Sequence, residues 1–258
     1  MITTSFDPHT PEIISPSALY PPQVGFPRTM VVTFQPNTFA VVLDQYDTEP
    51  LADLALEEVL TVDTPMWPGR ARALEYHGHL LGVCLSAVGA SAAVALAEKA
   101  AAMGTTHFVF FGSSGGLVPE LATGGLIVPT AAYRDEGTSY HYADASDFID
   151  VASAPRTAEI LTEMGVPHTL GKVWTTDAFY RETEANLAAR VADGCIAVEM
   201  EASALAGFAQ FRSVDVHHFL YTADSLSGQQ WEIGELGSLP AEPRARYITI
   251  ALELAVRL

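Results

Sequence analysis

The chain has 258 residues, 31 of them acidic and 13 basic, for a formal net charge of −18 at pH 7. Hydrophobic residues make up 49% and charged residues 17%, which is ample for a core and excludes a disordered polyelectrolyte. The same balance argues against a nucleic-acid partner, because a phosphate backbone needs a basic stripe and Lys99 and Lys172 are the only lysines. An acidic body also repels anions at long range, so any phosphate must be held by specific local donors.

Six prolines fall within the first 27 residues, which reads as an extended arm over the surface or a neighbouring subunit. Residues 1–30 are assigned to this Pro-rich arm and 31–258 to a single domain. Met1–Ile14 has no basic residue and no apolar run, so no secretory signal is read and a cytoplasmic location is expected. Apolar runs of strand length follow at Phe39–Leu43, Leu80–Leu85, Phe108–Phe111, Leu126–Val128, Ile196–Val198 and His218–Tyr221. Helical periodicity marks Leu51–Leu60, Ser91–Met103, Arg156–Met164, Ala178–Ala192, Glu201–Phe211 and Pro243–Val256. Leu80–Ala97 carries no charge over 18 residues, yet its glycines and alanines fit a buried strand, a turn and a buried helix better than a membrane span. Cys84 and Cys195, in apolar surroundings, read as reduced buried thiols. Strand then helix, repeated, predicts a single-domain, three-layer α/β fold with a mixed, largely parallel twisted sheet flanked by helices.

In such sheets ligands collect beyond the carboxyl ends of the strands. There the sequence has Val88-Gly89-Ala90-Ser91, Gly112-Ser113-Ser114-Gly115-Gly116, Glu199-Met200-Glu201 and Thr222-Ala223-Asp224. Small residues let a ligand reach the backbone, and isolated carboxylates among them suit chemistry. A carboxylate at a helix start can compensate the helix dipole, or accept two hydrogen bonds from a vicinal diol such as a ribose presents. Asp224 can be a turn residue, or an acid that protonates a leaving heterocycle from an apolar enclosure. Gly112–Gly116 also fits the G-x-S-x-G pattern of a serine hydrolase, with Ser114 as nucleophile and Asp177 and His217 or His218 as partners. Gly124-Gly125 follows too soon for the long helix an elbow needs. His77-x-His79 and His217-His218 lack a third ligand at metal spacing, and no dinucleotide or Walker motif occurs; no metal or cofactor is expected.

At these motifs the chain resembles the nucleoside phosphorylase family that holds hexameric purine nucleoside phosphorylase, uridine phosphorylase and the adenosyl-type nucleosidases. The resemblance runs from about Phe39 to the end. It rests on Gly112–Leu117, Gly124-Gly125-Leu126-Ile127-Val128, Arg134–Tyr142, Thr176-Asp177-Ala178-Phe179-Tyr180, Val198-Glu199-Met200-Glu201-Ala202 and Asp224. It implies cleavage of a nucleoside N-glycosidic bond through an oxocarbenium-like transition state, with phosphate as nucleophile, giving free base and ribose 1-phosphate. By the resemblance, Glu201 holds the ribose hydroxyls and Met200 packs on the sugar. Phe179 and Val198 line the base pocket, Ser113 with Gly112 binds phosphate, and Asp224 protonates a purine. Homo-oligomers built from dimers, up to hexamers, are implied as well, with the arm and Trp67-Pro68-Gly69-Arg70 as interface pieces.

Two departures bear on phosphate. The family's strand arginine two residues before the glycine is replaced by Phe110. The loop assigned after the first strand, Leu43-Asp44-Gln45-Tyr46-Asp47-Thr48-Glu49, is acidic and lacks arginine. An arginine's bidentate grip on an oxyanion has no apolar substitute. Arg70 or Arg72 is the candidate for the arginine a neighbouring subunit supplies, and Arg134 is a further one. A nucleosidase using water is the alternative, with Asp44, Asp47 or Glu49 as general base; a non-catalytic nucleoside-binding relative is the alternative from another class. Arg181-Glu182-Thr183-Glu184-Ala185 lacks the glutamine with which uridine phosphorylases read their base, and Asp224 points to a purine.

Overall fold

The computed structural model describes residues 1–51, 71–121, 123–228, 231–234 and 241–258, the side chains of 241–244 excepted. In chain order the elements are α1 (Pro16–Leu19), β1 (Thr29–Thr33), α2 (Pro36–Gln45), β2 (Glu49–Pro50), β3 (Ala71–Tyr76), β4 (His79–Leu85) and α3 (Ala90–Met103). Then come β5 (His107–Gly116), β6 (Leu126–Asp135), β7 (Phe148–Asp150), α4 (Ala154–Glu163) and β8 (His168–Thr176). The last are α5 (Glu184–Ala192), β9 (Cys195–Glu199), α6 (Ala202–Arg212), β10 (Asp215–Ser225) and α7 (Ala241–Ala255).

The strands form one mixed sheet in the order β10-β6-β8-β9-β5-β1-β4-β3-β2, and β10 also pairs with β5. That second pairing closes β5, β9, β8, β6 and β10 into a five-stranded ring, from which β1, β4, β3 and β2 extend as an open flange. The long ladders, β5 with β10 and β6 with β8, are parallel. Short antiparallel ladders, β5 with β9 and β10 with β6, complete the ring.

Alternation along the central strands sets the layers. Val31, Val83, Val109 and Phe111 face the core shared with α2, α4 and α7, where Phe39, Val42, Ile160 and Leu252 lie. Met30, Val32, Cys84, Phe108 and Phe110 face the opposite core, shared with α3 and α6. Every second residue thus serves a different helix layer, and the strands read as unbroken apolar runs. Both cysteines are free and buried.

Phe39–Leu43, expected as a strand, is instead the body of α2. Pro36 opens that helix, and Thr38, Phe39 and Val42 are its buried face at helical spacing. The first strand is β1, so the loop beyond it is Phe34-Gln35, not residues 43–49. Ala178–Ala192 is not one helix: a short 3-10 turn covers Phe179–Arg181, and Thr183 then accepts from Asn186 N to start α5. The helix expected over Leu51–Leu60 and the Trp67–Arg70 stretch lie outside the described residues. The proline-rich arm is tied to its own chain: Gln23 N donates to Met103 O, and Lys99 lies 4.3 Å over the Tyr20 ring. No described helix is long and apolar enough to cross a membrane.

Candidate functional site

Beyond the carboxyl ends of β5, β9 and β10 lies a cavity of about 330 Å³. Its walls are Phe34, Val88, Ser113, Ser114, Gly115, Phe179, Glu182, Val198, Glu199, Met200, Glu201, Asp224 and Leu226. Five of the expected sugar, base and anion residues, Ser113, Phe179, Val198, Met200 and Glu201, therefore share one space with Asp224.

Glu201 is the N-cap residue of α6 and is buried. Its Oε1 accepts from Gly89 N at 2.6 Å. Gly89 can aim that amide because it sits at φ +109°, a backbone region open only to glycine. The amides at the very start of the helix are taken by a different carboxylate. Glu199 Oε2 accepts from both Glu201 N and Ala202 N at 2.7 Å, and Thr175 Oγ1 donates to its Oε1. Glu199 caps the helix and leaves Glu201 for a ligand. Burial raises the pKa of both carboxyls, and the Glu199 charge adds to the upward shift of Glu201. The Met200 backbone amide is a second donor to the Glu201 carboxyl.

Asp224 forms the base end. It is buried, Trp231 Nε1 donates to its Oδ2 at 2.7 Å, and burial raises its pKa. Beside it the Glu182 carboxyl is pushed up to about 7, first by burial and then by the Asp224 charge. Gly115 lets two side chains pack close to the strand here: a Cβ on it would meet Leu226 Cδ1 at 2.5 Å and Val198 Cγ1 at 3.1 Å, with Asp224 Oδ1 at 3.5 Å. This end of the cavity is therefore walled by Leu226 and Val198, with the Asp224 carboxyl at its edge. Phe179, 38% exposed, stands at the rim.

The anion end is different. Gly112 lies in β5 under the Phe34 ring; a Cβ there would meet Phe34 Cδ2 at 2.9 Å. Phe34 stacks on Phe110 with ring centroids 6.0 Å apart, and Phe110 is fully buried against Phe108 and His218. The glycine expected to receive phosphate is roofed by an aromatic ring. Four carboxyl groups, Glu182, Glu199, Glu201 and Asp224, line the cavity, and none of its described lining residues is Lys or Arg.

The candidate arginines among the described residues, Arg72 and Arg134, are engaged elsewhere. Arg72, on β3, donates from Nε to Thr48 Oγ1 at 3.0 Å and from Nη2 to Thr48 O at 2.9 Å. It belongs to the flange and does not line the cavity. Arg134 is buried and clamps its own loop through Ser139, Ser146 and the carbonyls of Ala143 and Asp144. Arg70 lies outside the described residues. Asp44, Asp47 and Glu49 are exposed at the flange end, remote from the cavity lining, so none is placed as a general base. The serine hydrolase reading fails too: β5 runs straight through Ser114, His217 Nδ1 pairs with Thr157, and buried His218 packs on Phe110.

Sequence reasoning missed Phe34, Glu182, Glu199's capping role and Trp231. Phe34 was hidden by the misplaced first strand. Glu182 had a signal, an acid three residues after Phe179, but was read only as a missing glutamine. Nothing local announced Trp231, seven residues beyond Asp224.

Fold and site together define an α/β domain with a carboxyl-lined cavity beyond the ends of its central strands. The chain belongs to the phosphorylase superfamily, whose family model matches residues 40–247. Uridine phosphorylase of Thermococcus kodakarensis is 30% identical over 113 residues, covering 43% of this chain and 41% of that protein. A DeoD-type purine nucleoside phosphorylase of Caldanaerobacter subterraneus is 27% identical over 165 residues, covering 61% and 68%. The chain spans about half the length of the first curated relatives it matches. Among solved structures, uridine phosphorylase from Vibrio fischeri superposes with a TM-score of 0.72 at 21% identity, over 91% of this chain and 94% of that one. Futalosine hydrolase of Helicobacter pylori superposes at 0.68 and 16% identity, over 90% and 100%. The shared fold therefore serves proteins named for phosphorolysis and for hydrolysis alike.

Proposed function

We propose that the protein cleaves the N-glycosidic bond of a purine nucleoside, with water as the nucleophile. The observation that carries this reading is the single cavity in which Glu201, Met200, Phe179, Val198 and Asp224 line complementary walls. Glu201 accepts hydrogen bonds from the ribose 2′ and 3′ hydroxyls, and Met200 packs against the sugar. The base lies between Phe179 and Val198 with its imidazole edge toward Asp224. Burial holds a proton on Asp224 to higher pH than an exposed aspartate keeps it, so the acid can deliver it to the departing purine. Protonation lets the base leave neutral, and the C1′ centre becomes oxocarbenium-like.

Phosphate as co-substrate, the first expectation from the resemblance, is disfavoured by two features. Phe34 covers Gly112, and the carboxylate-lined cavity repels a dianion. An oxocarbenium-like centre accepts a weak nucleophile, so a water on the Ser113 hydroxyl suffices.

The test is a panel of purine and pyrimidine nucleosides assayed for free base, each with and without phosphate. Purine release at the same rate in both supports the reading. Release that requires phosphate restores phosphorolysis, and binding without release makes the chain a nucleoside-binding relative.

A further inference from the structure

The cavity holds one carboxyl that the reaction above does not use. Glu182 lines the base end beside Asp224, and its side chain accepts no hydrogen bond from any described residue. Asp224 is differently placed, since Trp231 Nε1 donates to its Oδ2 at 2.7 Å. The protein thus supplies a donor to one member of the pair and none to the other. Glu182 follows the 3-10 turn of Phe179–Arg181 and precedes the Thr183 cap of α5, so its backbone is pinned on both sides.

We propose that Glu182 is a specificity-determining residue, forming with Asp224 a two-carboxyl clamp that selects a 6-aminopurine over a 6-oxopurine. The inference rests on the purine-nucleoside reading of the same cavity. Two neighbouring carboxyls in a low-dielectric site resist double ionisation and keep one proton between them. Such a pair offers one donor and one acceptor. The N7 and 6-substituent edge of a 6-aminopurine offers one acceptor, N7, and one donor, the amino group. The match is complete when Asp224 holds the proton toward N7 and Glu182 accepts from the amino group. A 6-oxopurine offers two acceptors at that edge, so one carboxylate oxygen would face O6 with no hydrogen between them. A site built to meet an N–H rejects an analogue lacking it more strongly than an apolar pocket does, because its buried polar group is left unpaired.

The experiment is calorimetric binding of adenine and hypoxanthine to the full chain and to Glu182→Gln. The wild type is expected to bind adenine at least ~10-fold more tightly, on the scale of one unpaired buried polar contact. In Glu182→Gln the amide both donates and accepts, so the preference should collapse to within ~3-fold. Glu182→Ala, with its melting temperature checked, gives the same readout should the first variant fold poorly. No adenine preference in the wild type, or one that survives both variants, overturns the proposal. The base-release panel separates the two readings. Adenine preference without turnover refutes catalysis and keeps the clamp; turnover without base preference does the reverse. Absence of binding by either base refutes both.

Discussion

Replacing Asp224 by Asn isolates proton delivery from everything else the residue does. The side chain is 5% exposed and isosteric with asparagine, and the amide oxygen still accepts the 2.7 Å bond from Trp231. Fold and cavity should survive, so the loss falls on the leaving group. A general acid contributes about 10²–10⁴-fold, which at about 1.36 kcal/mol per decade is about 2.7–5.4 kcal/mol of barrier. Glu182 beside it retains a proton source, which places the expected loss near the lower bound, about 10²–10³-fold in kcat. Adenosine turnover at pH 7, followed by adenine release, gives the rate. Calorimetry with adenine shows whether the site still fills. A variant that keeps its melting temperature and binds adenine, yet turns over within ~3-fold of wild type, would falsify the assignment of Asp224 as the acid.

Two further outcomes concern stability. His218 is buried with both ring nitrogens lacking a hydrogen-bond partner, and burial pushes its pKa down to about 3. The folded state therefore excludes a proton that the unfolded chain takes up below about pH 6.5, so stability falls as pH drops. The penalty at pH 5 is about 2 kcal/mol. Urea unfolding of His218→Phe at pH 5 and 7.5 should show a shallower pH dependence, and an unchanged slope would reject the claim. Arg212 donates from Nε to both oxygens of buried Glu98, at 2.9 and 2.8 Å. Arg212→Ala should cost roughly 2–4 kcal/mol by stranding that carboxylate. Without its partner Glu98 keeps a raised folded pKa, so the loss should be smallest at low pH and grow as pH rises. Equal losses at pH 5 and pH 8 would show that packing, not charge, is responsible.

Much of the fold was legible because the central strands are buried on both faces. Leu80–Leu85 and Phe108–Phe111 read as unbroken apolar runs for that reason, and α3, α4, α6 and α7 carried clear helical spacing. Phe39–Leu43 misled because five apolar residues fit a strand or one helical face equally well, and only Pro36 breaks the tie. That one misplacement moved the loop after the first strand by ten residues and drew attention to Asp44, Asp47 and Glu49, which do not line the cavity. Glu201, Met200 and Asp224 stand out in the sequence because strand ends and helix starts are local features, whereas Phe179 and Val198 rest on the family resemblance alone. Phe34 over Gly112, Trp231 on Asp224 and Glu182 beside Asp224 are meetings across the fold, which no local pattern encodes.

The ring of strands carries a kinetic consequence. His107 of β5 pairs with Asp215 of β10, so the ring cannot close until more than a hundred intervening residues are in place. Contacts so distant in sequence are slow to form, because the loop must be ordered before the ladder rewards it. Asp224 meets Gly115 in that same ladder, so the acid and the glycine strand come together only at closure. A nascent chain short of β10 has the glycine strand without its acid, and cavity and barrel arise in a single late step.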